Sequence, residues 1–381
     1  MTGANDIATI LRHRGLDADT GRWRAALEGV KASEVERYLA EPAGRYGFER
    51  LLALISPVAQ NYLEQMAQAA HKLTVRRFGK CVQMYVPLYV SNYCINSCLY
   101  CGYNCANEFK RTRLTIEQAV AEADVIAGKG FRHILLLSSE DPEYATVDYF
   151  VELAGRLRSK FESMSVEIYP MSEDGYARLL AAGIDGVTLY QETYGRDVYA
   201  ENHPAGPKSD YDSRLLAHDR TGAAGMRRLG LGVLLGLGDW RIDTLALAEH
   251  AHYLMKMYWR AQVSFSFPRL RPAVNVAARS KYSVSDRELV QMMLALRLCF
   301  GDAGIVLSTR ERAELRDNLV RLCVTKMSAG SKTNPGGYSV KAGSVEQFAI
   351  DDSRSPAEVA AMLEASGIEP VWKDWDKAFS G

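Results

Sequence analysis

The sequence of 381 residues lacks the long hydrophobic run that a membrane-spanning helix needs. Its longest apolar stretch, residues 229–237, is far shorter than the ~18 residues that suggest a span. The first 15 residues lack the basic flank and continuous apolar block of a signal peptide. Lysine and arginine number 46, as do aspartate and glutamate, so no net charge attracts nucleic acid or an anionic membrane. We therefore expect no nucleic acid and no membrane among its partners.

Cysteine is scarce and unevenly placed. The seven cysteines are an odd number with three or four clustered, which argues against a disulfide framework and indicates a reducing cytoplasm. The motif HExxH is absent, and His250 and His252 are two apart on a predicted helix, so they share no face. A zinc peptidase is therefore excluded. The motif G-x-G-x-x-G is also absent, so a Rossmann dinucleotide site is not indicated.

Three of the cysteines, Cys94, Cys98 and Cys101, stand in C-x3-C-x2-C spacing directly after an apolar, strand-like run. Three thiolates on one short loop can hold three irons of a four-iron, four-sulfur cluster and leave the fourth iron open. Cys105 could add a fourth thiolate, which would give a zinc site or a closed electron-transfer cluster. Neither alternative explains why the loop follows the first strand of a long βα array. We therefore favour the open cluster and interpret Cys105 as a bystander.

Short apolar runs alternate with helical patterns through the middle of the chain. Two of the predicted helices begin with capping boxes, at Thr115 and Ser285. Strands that alternate with helices predict an α/β fold, a parallel sheet closed as a TIM-type (β/α)8 barrel. The eight predicted strands are residues 82–90, 133–137, 165–169, 185–191, 229–235, 262–267, 305–308 and 322–327.

We expect three parts in the chain. Residues 1–78 form a helical N-terminal extension, residues 79–328 the barrel, and residues 329–381 a C-terminal extension packed on it. In such barrels the chemistry lies at the C-terminal ends of the strands. The cysteine loop therefore belongs at the barrel mouth, and polar residues at the other strand ends are candidate ligands.

The cysteine loop, with Tyr100 directly before the third cysteine, resembles the C-x3-C-x-aromatic-C loop of the radical S-adenosylmethionine (SAM) superfamily. That resemblance implies a 4Fe-4S cluster on Cys94, Cys98 and Cys101, with SAM on the open iron as the source of a 5′-deoxyadenosyl radical. The candidate SAM-binding residues lie mostly at or just after strand ends. They are Tyr100, Ser138, Ser139, Glu140, Glu167, Gln191, Glu192, Arg214, Gly232 and Gly236.

Several of these residues could have a purely structural role. Ser138 and Ser139 stand where the superfamily usually has glycines, so the match requires ordinary negative φ at both positions. Glu140 could instead cap the next loop, and Arg214 could be a solvent-exposed arginine on a helix. The glycines at 232 and 236 are explained almost as well by ordinary turns at a strand end.

Six longer stretches together resemble the aromatic amino acid lyase branch of that superfamily, and the last two point to its tyrosine lyases of thiazole biosynthesis. They are VPLYVSNYC, YQETY, SFPRLRP (266–272), LSTRE (307–311), KTNPGGY (332–338) and VWKDWD (371–376). The resemblance implies cleavage of the Cα–Cβ bond of L-tyrosine to 2-iminoacetate and p-cresol. It also implies that Arg310 holds the tyrosine carboxylate and that Tyr89 lines the substrate pocket. Arg310 could instead pair with Glu311, and Arg269 and Arg271 could serve the substrate or only the rim.

Two related enzymes are less similar. The tyrosine lyase of hydrogenase maturation carries a second cluster on C-terminal cysteines, whereas no cysteine follows Cys323 here. The tryptophan lyase of thiopeptide biosynthesis lacks the KTNPGGY and VWKDWD stretches. The resemblance implies two partners, a thiazole synthase subunit and a reductant of the flavodoxin, ferredoxin or NADPH-linked type. The alternative to a lyase is a protein of another functional class, either a closed-cluster electron carrier or a zinc-stabilised scaffold.

Overall fold

The computed structural model describes residues 6–18, 20–276, 280–339 and 344–373. Its strands are β1 (Cys81–Ser91), β2 (His133–Ser138), β3 (Ser163–Glu167), β4 (Ile184–Thr188), β5 (Arg228–Gly232), β6 (Gln262–Ser266), β7 (Gly304–Leu307), β8 (Lys326–Ser328) and β9 (Glu369–Val371). Its helices are α1 (Ile7–Arg14), α2 (Gly21–Gly29), α3 (Ala32–Ala40), α4 (Phe48–Ile55), α5 (Leu63–Phe78), α6 (Ile116–Gly128), α7 (Val147–Leu157), α8 (Glu173–Ala181), α9 (Arg196–Asn202), α10 (Tyr211–Leu215), α11 (Ala217–Ala223), α12 (Trp240–Met257), α13 (Asp286–Cys299), α14 (Ala313–Leu319) and α15 (Pro356–Ala365).

The first eight strands form a closed parallel barrel, as the sequence predicts. Neighbouring strands pair in chain order from β2 to β8, and β1 closes the ring by pairing with both β2 and β8. β1 is buried along almost its whole length, as expected for a strand covered on both faces. All eight carboxyl ends therefore meet at one mouth, and the cysteine loop leaves β1 there.

Two predicted strands are displaced from their observed positions. The third was predicted at residues 165–169 but is Ser163–Glu167, and the eighth was predicted at residues 322–327 but is Lys326–Ser328. Residues 322–324 are largely buried, yet they lie in the turn after α14. Strands and buried turns can both contain a short apolar run. The apolar pattern alone therefore placed the start of the eighth strand too early.

The helix starts are decided by local chemistry. Thr115 and Gln118 form the predicted capping box, with Gln118 N donating to Thr115 Oγ1 at 3.3 Å and Thr115 N donating to Gln118 Oε1 at 2.9 Å. The box at Ser285 is also present. A 3-10 turn over Val58–Tyr62 directly precedes α5.

The helices before β1 pack on the outer layer of the barrel. α4 and α5 both contact α13, and α4 also contacts α12. Gln291, buried on α13, donates its side-chain amide to the carbonyl oxygens of Leu54 and Ser56 at 3.0 and 2.8 Å. It thereby satisfies backbone groups at the C-terminal end of α4 that would otherwise be buried without partners.

The chain after β8 crosses the barrel mouth. The Tyr103 hydroxyl donates to the carbonyl oxygens of Thr333 and Val345, and the Tyr89 hydroxyl donates to Gln347 Oε1 at 2.8 Å. The chain then forms α15 and returns as β9, an unpredicted strand that pairs with the start of β1. The division at residues 78 and 328 stays a prediction. Within the described ranges, no helix is long and apolar enough to cross a membrane.

Candidate active site

Cys94, Cys98 and Cys101 line one cavity at the barrel mouth, and all three are free thiols. Cys105 is exposed. Its amide donates to the carbonyl oxygen of Asn96 at 2.9 Å, which folds the loop back on itself. In the described part of the chain, which includes all four cysteines, no three metal-ligating side chains are arranged to hold a single metal ion.

The three loop cysteines line one cavity, the arrangement that three ligands of a 4Fe-4S cluster need. Burial raises the pKa of Cys94 and raises that of Cys98 to about 12, so these two thiols are neutral unless a cation such as iron binds their sulfurs. Two amides already point at the sulfurs: Asn96 Nδ2 lies 3.7 Å from Cys94 Sγ and Gln347 Nε2 lies 3.6 Å from Cys101 Sγ. Such hydrogen bonds to cluster ligands tune the reduction potential.

The loop after β2 is tied to the cysteine loop through Asn96. Its side-chain amide donates to Glu140 Oε2 at 2.7 Å, and its Oδ1 accepts the Lys208 amide at 2.8 Å. Ser138, Ser139 and Glu140 all line the cavity. Among the non-glycine residues described, only Glu192 and Asn275 have positive φ, so both serines meet the requirement for ordinary backbone geometry.

Glu192, just after β4, is the most constrained acidic residue of the site. Its φ of 72° is unusual for a residue with a side chain, and such strain concentrates at functional sites. Lys208 Nζ donates to Glu192 Oε1 at 2.7 Å, and Arg214 NH2 lies 3.5 Å from the same oxygen. These two cations lower the pKa of Glu192 although its burial opposes them. Arg214 is therefore a buried cavity residue and not the exposed helix arginine considered as the alternative.

Tyr100 is fixed by a buried hydrogen bond. Its hydroxyl lies 2.8 Å from His203 Nε2, and His203 Nδ1 lies 2.7 Å from the carbonyl oxygen of Tyr199. Since that carbonyl can only accept, Nδ1 carries the proton and Tyr100 donates to Nε2. Burial lowers the pKa of His203 to about 3, so the imidazole is neutral.

Arg310, just after β7, lines the cavity. Its guanidinium carbon lies 3.4 Å from the centre of the Phe348 ring. Within the described residues the guanidinium has no ion pair or hydrogen bond, because Glu311, the partner considered from the sequence, is held by Arg269. A guanidinium stacked on an aromatic face, without an ion pair or hydrogen bond among the described residues, can still bind a carboxylate.

Glu167, at the end of β3, also lines the cavity. Burial raises the pKa of its carboxyl to about 7, although Arg310 acts to lower it. Among the described residues the carboxyl has no hydrogen-bond donor. It can therefore bind a ligand ammonium group without breaking an existing contact.

Four of the sequence-predicted residues lie outside the cavity lining. Arg269 is bound by Glu311 and Asp286, so it is placed as a structural ion pair. Gln191 is buried, with its side-chain amide 3.4 Å from the Tyr211 carbonyl oxygen. At Gly232 a Cβ would collide with Tyr190, and at Gly236, where φ is 113°, with Leu270. Arg271, in contrast, lines the cavity while paired with Asp351.

Sequence reasoning missed several cavity residues, among them Asn96, Lys208, Gln347 and Phe348. Lys208 lies in a 3-10 turn after α9, and Gln347 and Phe348 lie in the segment that crosses the mouth. Only Asn96, inside the cysteine loop, had a positional signal. The roles of the individual site residues stay predictions.

Comparison with known proteins identifies the family. Residues 88–248 match the Radical SAM superfamily and residues 266–369 match the Biotin and Thiamin Synthesis associated domain. The 2-iminoacetate synthases of Salmonella typhimurium (strain LT2) and Escherichia coli (strain K12) are each 43% identical to the chain over 366 residues, which is 96% of this chain and of theirs.

Solved structures agree in fold. HydG, a maturase of the FeFe-hydrogenase, superimposes with a TM-score of 0.87 at 31% identity over 94% of this chain and 80% of that chain. HydG from Carboxydothermus hydrogenoformans gives a TM-score of 0.84 at 33% identity over 97% and 85%. Methylornithine synthase, at 24% identity and a TM-score of 0.69, shares the fold. The superfamily uses a 4Fe-4S cluster and SAM, which the three loop cysteines and the polar cavity fit. The chain belongs to the 2-iminoacetate synthase family of radical SAM enzymes.

Proposed function

We propose that this chain is a lyase that cleaves the Cα–Cβ bond of L-tyrosine to 2-iminoacetate and p-cresol, for the thiazole moiety of thiamine. The single observation that carries the proposal is the Arg310 guanidinium, which has no ion pair or hydrogen bond among the described residues and lines the cavity that also contains the three cysteines. An amino acid carboxylate bound there lies in the same enclosed space as the cluster site. Family membership at 43% identity supports the same reaction.

When bound, the 4Fe-4S cluster and SAM would supply the radical chemistry, namely one-electron reductive cleavage of SAM to give a group that abstracts hydrogen. The residues of the chain bind and orient SAM. Glu140, Glu192 and Arg214 offer the acceptors and donors that the ribose, ammonium and carboxylate groups of SAM need. Lys208 keeps Glu192 ionised, so that the second carboxylate oxygen can accept hydrogen bonds.

The substrate side of the cavity is formed by Arg310, Phe348 and Tyr89. A guanidinium binds a carboxylate in a planar, bidentate manner, which fixes the amino acid so that one hydrogen faces the radical. Tyr89 is held by its hydrogen bond to Gln347, on the segment that crosses the mouth. Covering the mouth in this way excludes water, and exclusion protects a reactive radical from side reactions.

Product analysis after anaerobic reconstitution tests the proposal. The enzyme is loaded with iron, sulfide and SAM, reduced, and supplied with tyrosine or tryptophan in parallel. We expect p-cresol and 5′-deoxyadenosine with tyrosine. Formation of an indole product from tryptophan, without p-cresol from tyrosine, would replace the proposal with a tryptophan lyase. If the cluster assembles but SAM is not cleaved, the remaining interpretation is a closed-cluster electron carrier.

The chemistry of the product points to a partner. Imines hydrolyse in water, so 2-iminoacetate is best transferred directly to the thiazole synthase subunit that consumes it. We therefore expect a complex with that synthase in the cytoplasm, and a low-potential reductant of the flavodoxin, ferredoxin or NADPH-linked type. Anaerobic co-purification at low salt tests the complex, and failure of the two proteins to associate at micromolar concentration contradicts it.

A further inference from the structure

A second, smaller cavity continues from the first toward the barrel axis. Tyr89, Glu167, Arg310 and Phe348 are among the residues that line both, so the two spaces share a wall. We call the second cavity the inner chamber. The residues that line only the inner chamber include Tyr85, Ser266, Ser328, Ser331 and Thr333. Arg310 thus lies at the junction between the cluster-side cavity and a chamber rich in hydroxyl groups.

Most of these hydroxyl groups already have partners. Tyr85 pairs with Ser328, Tyr190 pairs with Ser266, and Thr333 Oγ1 donates to the Phe348 carbonyl oxygen at 3.2 Å. Ser331 differs. Its residue is only 3% exposed, and its hydroxyl oxygen is buried without a hydrogen-bond partner in the part of the chain that the structure describes. A buried hydroxyl left unpaired costs about 1–3 kcal/mol, so its persistence suggests a partner supplied from outside the protein.

The backbone around Ser331 is set by a tight turn after β8. Gly330 has a φ of 59°, and a Cβ at this position would lie 2.9 Å from Pro356, so the position favours glycine. The Gly330 amide donates to the Arg354 carbonyl oxygen at 3.2 Å. The turn is therefore anchored to the segment before α15, and it holds Ser331 in the wall of the inner chamber.

We propose that Ser331 binds the phenol hydroxyl of tyrosine and selects for a hydroxylated ring. The inference rests on the proposed function and adds the residue that reads the far end of the substrate. With its carboxylate on Arg310 at the junction, tyrosine places its α-carbon beside the cluster-side cavity and its ring in the inner chamber. The ring hydroxyl then meets the chamber hydroxyl that is buried without a partner among the described residues.

Selectivity follows from the cost of an unpaired group. Phenylalanine fills the same chamber but leaves Ser331 buried and unsatisfied, whereas tyrosine gives it a partner. Sites built to hydrogen-bond a substrate hydroxyl reject analogues that lack it, because the polar group of the site is then stranded.

The test is a binding measurement that needs no turnover. Radiolabelled tyrosine and phenylalanine are equilibrated with the cluster-loaded, SAM-bound enzyme without a reductant, in wild type, Ser331→Ala, Ser331→Cys and Ser266→Ala. We expect the wild type to bind tyrosine more tightly than phenylalanine. In Ser331→Ala the ratio of the two affinities should fall roughly tenfold, because tyrosine binds more weakly. Ser331→Cys, with a weak donor, should be intermediate. Ser266→Ala, which removes a paired hydroxyl of the same chamber, should keep the preference.

Three outcomes separate the ideas. An unchanged preference in Ser331→Ala, with normal SAM binding, overturns the role of Ser331 and leaves the proposed function standing. An equal loss of preference in Ser266→Ala also overturns it, since chamber shape would then be the cause. If wild type does not bind tyrosine at all, the proposed function fails together with this inference.

Discussion

The two halves of the barrel mouth differ in how far their charges are satisfied before any ligand is present. The cofactor half consists of the cysteine loop with Glu140, Glu192, Lys208 and Arg214, and its acidic groups have partners. The substrate half consists of Arg310, Phe348 and Ser331, and there a cation and a hydroxyl lack partners among the described residues. The first half is assembled in advance, whereas the second is completed by what it binds.

A physical reason accounts for the difference. The cofactor half contains several buried charged groups, and each unpaired buried ion costs several kcal/mol in lost solvation. The cofactor half meets this cost with a network that also orients its side chains. A single guanidinium resting on an aromatic ring is less costly to leave open, and the carboxylate of the substrate then becomes its partner.

The largest expected effect is loss of the cluster. Cys94→Ala, Cys98→Ala and Cys101→Ala should each abolish cluster assembly and SAM cleavage, because each removes one of three ligands. Cys105→Ala is the matched control, since Cys105 is exposed and its substitution should leave iron and sulfide content nearly intact. Iron and sulfide analysis of the four variants decides the matter. Cluster loss in Cys105→Ala would favour four-thiolate ligation.

Next in size is the effect of Arg310→Lys, which isolates the substrate half. The lysine keeps the charge but loses the planar fork, and a misplacement of about 1 Å can cost roughly a hundredfold in rate. We expect p-cresol formation to fall by about that factor. Reductive cleavage of SAM without substrate should persist, as measured by 5′-deoxyadenosine. Unchanged p-cresol would show that Arg310 is not the anchor.

Glu192→Gln tests the cofactor half. The substitution leaves Lys208 and Arg214 as two buried cations without their shared anion, and breaking such a pair costs about 3–5 kcal/mol. We expect weaker SAM binding and a lower midpoint of chemical unfolding. The exposed pair formed by Lys281 and Glu201 provides the control, since Glu201→Gln should change neither. Unaltered SAM affinity in Glu192→Gln would remove Glu192 from the SAM site.

The smallest predicted effect concerns Glu167, at the boundary of the two halves. Burial raises the pKa of this carboxyl to about 7, with Arg310, Lys208 and Arg214 lowering it and Glu192 raising it. Below that pH the carboxyl is protonated and no longer attracts an ammonium group, so SAM affinity should fall severalfold as the pH drops through about 7. In Glu167→Gln the profile should be flat. A pH-dependent affinity for tyrosine instead would move Glu167 to the substrate half.

The sequence predicted the cofactor half better than the substrate half. The cysteine spacing, the capping boxes and the long apolar run of β1 are local patterns, and β1 was predicted to within one residue at each end. The family and the barrel were confirmed. Ser138, Ser139, Glu140 and Glu192 could be found because they directly follow predicted strands, and a parallel barrel brings the side chains at its strand ends together.

What was missed came from chain segments without periodicity. Gln347 and Phe348 reach the cavity because hydrogen bonds from Tyr89 and Tyr103 hold the C-terminal segment across the mouth. Nothing in a local pattern predicts such a long-range crossing. Arg269 is the opposite case. The sequence left open whether it serves the substrate or only the rim, and in the structure it lies outside the cavity lining, paired with Glu311 and Asp286.

The most direct test of two separable halves is the ratio of p-cresol to 5′-deoxyadenosine, measured with saturating tyrosine in wild type, Arg310→Lys and Glu192→Gln. A defect in the substrate half should lower p-cresol while 5′-deoxyadenosine continues to form, so the ratio should fall in Arg310→Lys. A defect in the cofactor half should lower both products together, so the ratio in Glu192→Gln should match wild type. A ratio that falls equally in both variants, or remains at the wild-type value in Arg310→Lys, would contradict the account.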